Sequence, residues 1–260
     1  MSSESPIRVE RQGTVATVVM DGGQKRNALT LAMWQGIGER FRELQADANL
    51  RCVVLRGGED AFSAGADIGE FSTTRNDVAA ARAYGEAIAG AIAAVDECPH
   101  PVIAAISGDC VGGGLEIAAA CDLRLANATS RFGIPVGRIG VVMAHAELLA
   151  LRRLVGHARA LEILLTGEVF DAARAHALGL VNRVYEDDDF EAEVAAVVAR
   201  ITGGSPRSNR WHKRFLRRLG DPAPLSDDER NEAYAFAGTS DYAEGITAFL
   251  EKRAPRFKGR

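Results

Sequence analysis

The chain lacks the residues that announce metal, redox or disulfide chemistry. Its only cysteines are Cys52, Cys98, Cys110 and Cys121 in 260 residues, and they show no metal-ligand spacing among them. Most stand in apolar surroundings, so they read as small core residues of a reducing compartment. A strong charge of one sign is also missing. The net charge of −4 leaves no footprint for general nucleic-acid binding. The sequence opens on no basic, then apolar, then small-residue leader. No apolar run reads as long enough to span a bilayer, so the expectation is a soluble cytoplasmic protein without a membrane partner. Internal repeats and low-complexity tracts are absent as well.

What is present is an apolar share of 47%, enough for a substantial core in one large domain or a domain with an appendage. Residues 7–20 alternate around Gln12-Gly13 and predict a β-hairpin. A turn over 21–27 carries Lys25 and Arg26. Thr30 then caps a helix to about 47, with Leu31, Trp34, Ile37, Phe41 and Leu44 on one face. A strand over 51–56, a loop of small residues over 61–68 and an alanine-rich helix over 77–97 follow. Pro99-His100-Pro101 stops that helix and opens a strand to 106. Further on come a strand over 122–126 and a loop-rich stretch over 131–140. Helical patterns over 144–154 and 157–165 lead to a capped helix that starts at Asp171, and then to a strand over 180–184. Beyond an acidic turn at 186–189 only helices are expected. Alternating strands and helices predict an α/β core, over residues 1–189, with a helical region over 190–260.

One stretch organises the rest: Cys110-Val111-Gly112-Gly113-Gly114-Leu115-Glu116. It reads as a glycine-rich turn between a buried strand and a helix. Such a turn exposes backbone N–H groups, which suit a phosphate, a carboxylate or a developing oxyanion. Tight packing explains the glycines equally well. No Gly-Lys-Ser/Thr follows and the G-x-G-x-x-G spacing is absent, which excludes a P-loop and a dinucleotide fingerprint here. The basic run from Arg210 to Arg218 reads as an amphipathic, solvated helix.

Several ordered motifs point the same way. Ala61-Phe62-Ser63-Ala64-Gly65-Ala66-Asp67-Ile68, the stretch from Pro101 through Gly112-Gly113-Gly114-Leu115-Glu116 to Asp122, and Arg131-Phe132-Gly133 with Pro135 are three of them. Leu164-Leu165-Thr166-Gly167, Ala177-Leu178-Gly179-Leu180-Val181 and the tail from Glu244 to Arg253 complete the series. In order and spacing the chain resembles the crotonase superfamily, the enoyl-CoA hydratases and isomerases. The resemblance implies an α/β fold, a spiral of ββα units with a helical C-terminal region that forms homotrimers or dimers of trimers. It implies an acyl-CoA thioester as substrate, with coenzyme A part of that substrate and no permanently bound cofactor or metal. By position, the N–H groups of Ala66 and Gly113 would hold the thioester oxygen, and Glu116 would be the acid/base. CoA would be held by Lys25, Arg26, Ala64, Ala66, Asp67, Ile68, Gly113, Phe249 and Lys252, the last two often acting across a subunit boundary in relatives.

The pattern departs from the family at two places. Hydratases of this kind carry a second glutamate after the proline of the Phe-Gly-x-Pro stretch, and here Val136 stands there. Losing a general acid/base group costs about 10²–10⁴-fold, so two-glutamate hydration loses one of its groups. Met143-Ala144-His145-Ala146-Glu147 also replaces the family's glycine-rich loop. His145 and Glu147 are candidates for the missing role, although the start of a solvated helix explains both. Arg138 is a candidate for neutralising an anion. His100, His157, His176 and His212 are weaker candidates. The expected function is an acyl-CoA enzyme of the hydratase/isomerase type working through a thioester enolate. A decarboxylase or other carbon–carbon cleaving enzyme, and an impaired acyl-CoA binding homologue, are the alternatives.

Overall fold

The chain begins with an antiparallel hairpin, β1 (Ile7–Gln12) and β2 (Val15–Met20), paired from Ile7 opposite Met20 to Gln12 opposite Val15. In this computed structural model residues 5–22, 25–58 and 61–260 are described. Parallel neighbours are then added one crossover at a time. Helix α1 (Leu31–Gln45) returns the chain to β3 (Cys52–Gly57). The short α2 (Phe71–Thr74) and the long α3 (Val78–Asp96) return it to β4 (Val102–Ile106). Helix α4 (Gly113–Ala119) leads to β6 (Leu123–Asn127). Helices α5 (His145–Thr166) and α6 (Ala172–Ala177) lead to β9 (Arg183–Tyr185). The sheet order is β1-β2-β3-β4-β6-β9. A second sheet is built from β5 (Asp109–Val111), β7 (Arg131–Gly133) and β8 (Phe170–Asp171) in that order. The tail is helical: α7 (Phe190–Gly203), α8 (Pro206–Arg218), α9 (Asp227–Glu232) and α10 (Ser240–Leu250).

Side-chain chemistry sets these bounds. Thr30 accepts from the Met33 N–H at 3.2 Å, Asp77 from Ala80 at 2.8 Å and Asp171 from Arg174 at 2.8 Å, each satisfying an otherwise orphaned donor at a helix start. The central strands read as unbroken apolar runs because both faces are covered. Val53, Leu55, Val102 and Ala104 face the main core with Trp34, Phe41 and Tyr84. Cys52, Val54, Ile103 and Ala105 face a second cluster closed by Phe190 and Val194 of α7. All four cysteines are buried and free.

Four expectations are corrected. The glycine turn does not leave the strand ending at 106; it leaves β5, a three-residue strand of the second sheet, too short to show a pattern. The strand expected over 180–184 is shifted, because Leu180 and Val181 are buried before β9 begins. The two helical patterns over 144–165, by contrast, are found as expected: α5 is two helical segments that meet at Gly156, whose backbone is non-helical (φ 75°, ψ 173°). Helix α3 is long and apolar enough to cross a membrane by length and composition, because alanine supplies apolarity without bulk. Its Tyr84, Ile88, Ala91, Ile92 and Val95 are packed into the core. The basic helix α8 is less solvated than expected. Lys213 binds the Asp122 carboxylate at 2.8 Å and the His100 carbonyl at 3.2 Å, and Arg210 binds the Leu50 carbonyl at 3.0 Å.

Candidate active site

Two loops meet at the start of α4. In the first, Leu29 bridges the backbone around Ala66: its N–H donates to Gly65 O at 2.7 Å and its carbonyl accepts from Asp67 N–H at 2.9 Å. The bridge passes over the Ala66 amide, which donates to no acceptor among the described residues. In the second, Gly112 (φ 52°, ψ −121°) turns the chain in a conformation that side chains rarely adopt. Gly113 begins α4, so its N–H has no intrahelical acceptor. The loops touch: a Cβ on Gly114 would lie 2.6 Å from Ser63 O, and one on Gly113 would lie 3.6 Å from the Ala66 nitrogen. Two unclaimed amides therefore border one spot.

That spot opens into a cavity of about 580 Å³, whose walls include Ala66, Gly113, Glu116, Val136 and Glu147. Glu116 stands in the first turn of α4 and is 6% exposed; Glu147 stands in the first turn of α5 and is 4% exposed. The Ala144 N–H donates to the Glu147 carboxylate at 2.7 Å. Burial pushes Glu116 up to about 8, the neighbouring Glu147 charge adds to the rise and Arg75 opposes it. Glu147 is also raised by burial, against the Ala144 N–H and Arg75, which favour its charged form. Of the two neighbouring carboxyls, Glu116 is the one that keeps its proton to about 8, burial and the Glu147 charge both favouring its neutral form.

The enoyl-CoA hydratase/isomerase family profile matches residues 10–260. The chain belongs to that family. It is 35% identical over 258 residues to a Mycobacterium bovis protein named "Probable enoyl-CoA hydratase echA8", covering 98% of each chain. With the short-chain-enoyl-CoA hydratase of Clostridium acetobutylicum it shares 30% identity, covering 95% of each. A crystal structure from Magnetospirillum magneticum, titled an enoyl-CoA hydratase/carnithine racemase, superposes with a TM-score of 0.97 at 49% identity, over 99% of this chain and 97% of that one. The fold is that of the crotonases.

Within this hydratase/isomerase-family chain, the cavity brings together Ala64, Ala66, Ile68, Gly113, Glu116 and Glu147 of the residues expected from sequence. Val136, in the place of the family's second glutamate, lines the same cavity, and so does Arg138. His145 does not; it is exposed and faces elsewhere. The reason is helical phase, since residues two apart on a helix do not share a face. Lys25 lies beside the first loop, its Nζ 2.7 Å from the Asp67 carboxylate, and that cation holds Asp67 below its ordinary value. Arg26 is ion-paired with Asp109. Phe249, on α10, and Lys252, just past its end, are exposed and line no part of this chain's cavity. His100 is buried against Leu44 O at 3.2 Å, and burial with Arg210 lowers it to about 4. Trp34, Phe71 and Arg75 are lining residues that sequence reasoning missed. Trp34 was legible only as a core residue, and nothing around Arg75 marked it.

Proposed function

We propose that this family member adds water to an enoyl-CoA thioester, or removes it from the 3-hydroxyacyl-CoA that results, using Glu116 and Glu147 as an acid/base pair. The observation that carries the reading is two buried glutamates in one cavity with two unclaimed backbone amides. The amides of Ala66 and Gly113 hold the thioester oxygen as negative charge develops on it. A preorganised donor of this kind is worth about 3–4 kcal/mol in the transition state. Glu147, kept ionisable by the Ala144 N–H, takes a proton from water as its oxygen attacks Cβ. Glu116, the more strongly raised of the pair, gives its proton to Cα. One proton remains on the pair, and solvent exchange returns it to Glu116. In this reading Glu147 replaces, from α5, the carboxylate that Val136 cannot supply. A purely binding homologue has no use for two buried carboxylates, whose burial lowers stability. CoA is part of the substrate. Lys25 and Arg26 serve its nucleotide end, and Phe249 and Lys252 serve the site of a neighbouring copy in a trimer or a dimer of trimers.

The test is hydration of crotonyl-CoA, followed as loss of the conjugated enoyl thioester. Glu116→Gln and Glu147→Gln should each lower kcat by about 10²–10⁴-fold with KM little changed. If Glu147→Gln retains full turnover, the second carboxylate is not Glu147. Binding without turnover in the unaltered protein would leave the acyl-CoA binder standing.

A further inference from the structure

We propose that Arg75 makes this cavity selective for acyl-CoA thioesters whose acyl group ends in a carboxylate. The inference rests on the acyl-CoA reading and names its substrate class. Arg75 follows α2 and its backbone N–H closes that turn on Phe71 O at 3.0 Å. Its guanidinium carbon lies 3.9 Å from the centre of the Tyr84 ring and 4.4 Å from that of Phe71. The two rings meet edge to face at 6.0 Å and 77°. Tyr84 is fully buried, so the aromatic clamp is fixed from the core side. Aromatic faces hold a planar guanidinium and leave its edge available.

That edge has no partner among the described residues. Arg75 Nε is buried without a hydrogen bond. Among the described residues no oxygen accepts from the rest of the group and no carboxylate forms an ion pair with it. The contrast with Arg124 is direct: that buried guanidinium is taken up by the carbonyls of Leu180 at 2.9 Å and Asp122 at 3.5 Å, among others. Arg75 is half-buried, with its Nε shut off from solvent and left without an acceptor, which is unfavourable. Here it borders the cavity that holds the two unclaimed amides. Glu116 and Glu147 feel its charge without pairing with it. A carboxylate at the far end of the acyl group completes the site through paired N–H···O bonds. An uncharged end leaves the cation unpaired, which is how a polar site rejects an apolar analogue.

Binding of saturated thioesters tests this without depending on turnover. Calorimetry would compare glutaryl-CoA with 5-methylhexanoyl-CoA, its uncharged isostere, and adipoyl-CoA with 6-methylheptanoyl-CoA. In the unaltered protein the carboxylate ligand of at least one pair should bind about tenfold or more tightly than its isostere. Arg75→Met should abolish that ratio, and Arg75→Lys should keep part of it. Equal or weaker binding of the carboxylate ligand in both pairs overturns the inference while leaving the acyl-CoA reading intact. So does an unchanged ratio in Arg75→Met, the result expected if Arg75 merely screens the two glutamates. Failure of all four thioesters to bind overturns the acyl-CoA reading itself, and the inference with it.

Discussion

A carboxyl that keeps its proton to about 8 in the folded chain ties stability to pH in a direction opposite to most acidic side chains. The unfolded chain gives up this proton near the ordinary value of 4.5, and the native one keeps Glu116 protonated to about 8. Between those values the native state binds more protons, so stability falls as pH rises, by up to about 1.4 kcal/mol per pH unit. Glu116→Gln removes that slope. The variant should therefore gain on the unaltered protein in chemical denaturation at pH 9, with little gain at pH 4. Glu147→Gln should end the fall at a lower pH, because the neighbouring charge no longer raises Glu116. Parallel stability curves for all three proteins would contradict the coupling. At this scale the sequence was informative where a motif fixed a residue. Glu116 follows three glycines and was found from them. Glu147 was only one of two candidates, because two residues in a helix cannot be told apart until the helix phase is known. Arg75 had no signal, since its meaning comes from Tyr84, nine positions along the chain and on another helix.

Among the elements, the second sheet is what aims the site. Strand β5 pairs with β7, and Ser63 bridges to Cys110, so the first loop is fastened to the strand that delivers the second. Ser63 N–H donates to Asp109 O at 2.7 Å and Val111 N–H to Ser63 O at 3.0 Å. The contact between loops is close enough that Gly114 cannot carry a side chain: its Cβ would lie 2.6 Å from Ser63 O and 2.8 Å from Ser63 Cβ. Gly114→Ala should separate the two amides and cost about 1–3 kcal/mol through overpacking, measured by urea unfolding, with turnover lost even where the variant folds. Gly137→Ala is the control, since nothing lies within 4 Å of its Cβ, and it should change stability by less than about 0.5 kcal/mol. Equal behaviour of the two variants would remove the loop contact from the site's architecture. The long elements were legible because capping residues and periodicity coincide at Thr30, Asp77 and Asp171. The strands β5, β7 and β8, of two or three residues each, are too short to alternate and are specified by their partners in space.

For the whole molecule, the open question is what covers the tail. The helical character of the tail past Phe190 was legible from its patterns, but its placement was not, because it depends on contacts such as Lys213 with Asp122 that join distant parts of the chain. Large apolar side chains remain exposed on its outer helices, Leu216 on α8 and Ile246, Phe249 and Leu250 on α10. A concentration of this kind is what an interaction surface presents, and the proposed trimer or dimer of trimers would cover it. Phe249 is the sharpest instance: it is 81% exposed and lines no part of its own chain's cavity. If α10 covers the site of a neighbouring copy, assembly and substrate affinity are coupled through this residue. The unaltered protein should then sediment at three or six times the chain mass. Phe249→Asp places a charge in the covered surface, where it must be desolvated. It should shift the distribution toward single chains and raise KM for acyl-CoA, with kcat falling less. Dissociation with an unchanged KM would separate assembly from the site and return Phe249 to a purely structural contact. A single-chain species in the unaltered protein at micromolar concentration would overturn the trimer outright, and the CoA contacts assigned to Phe249 and Lys252 would fall with it.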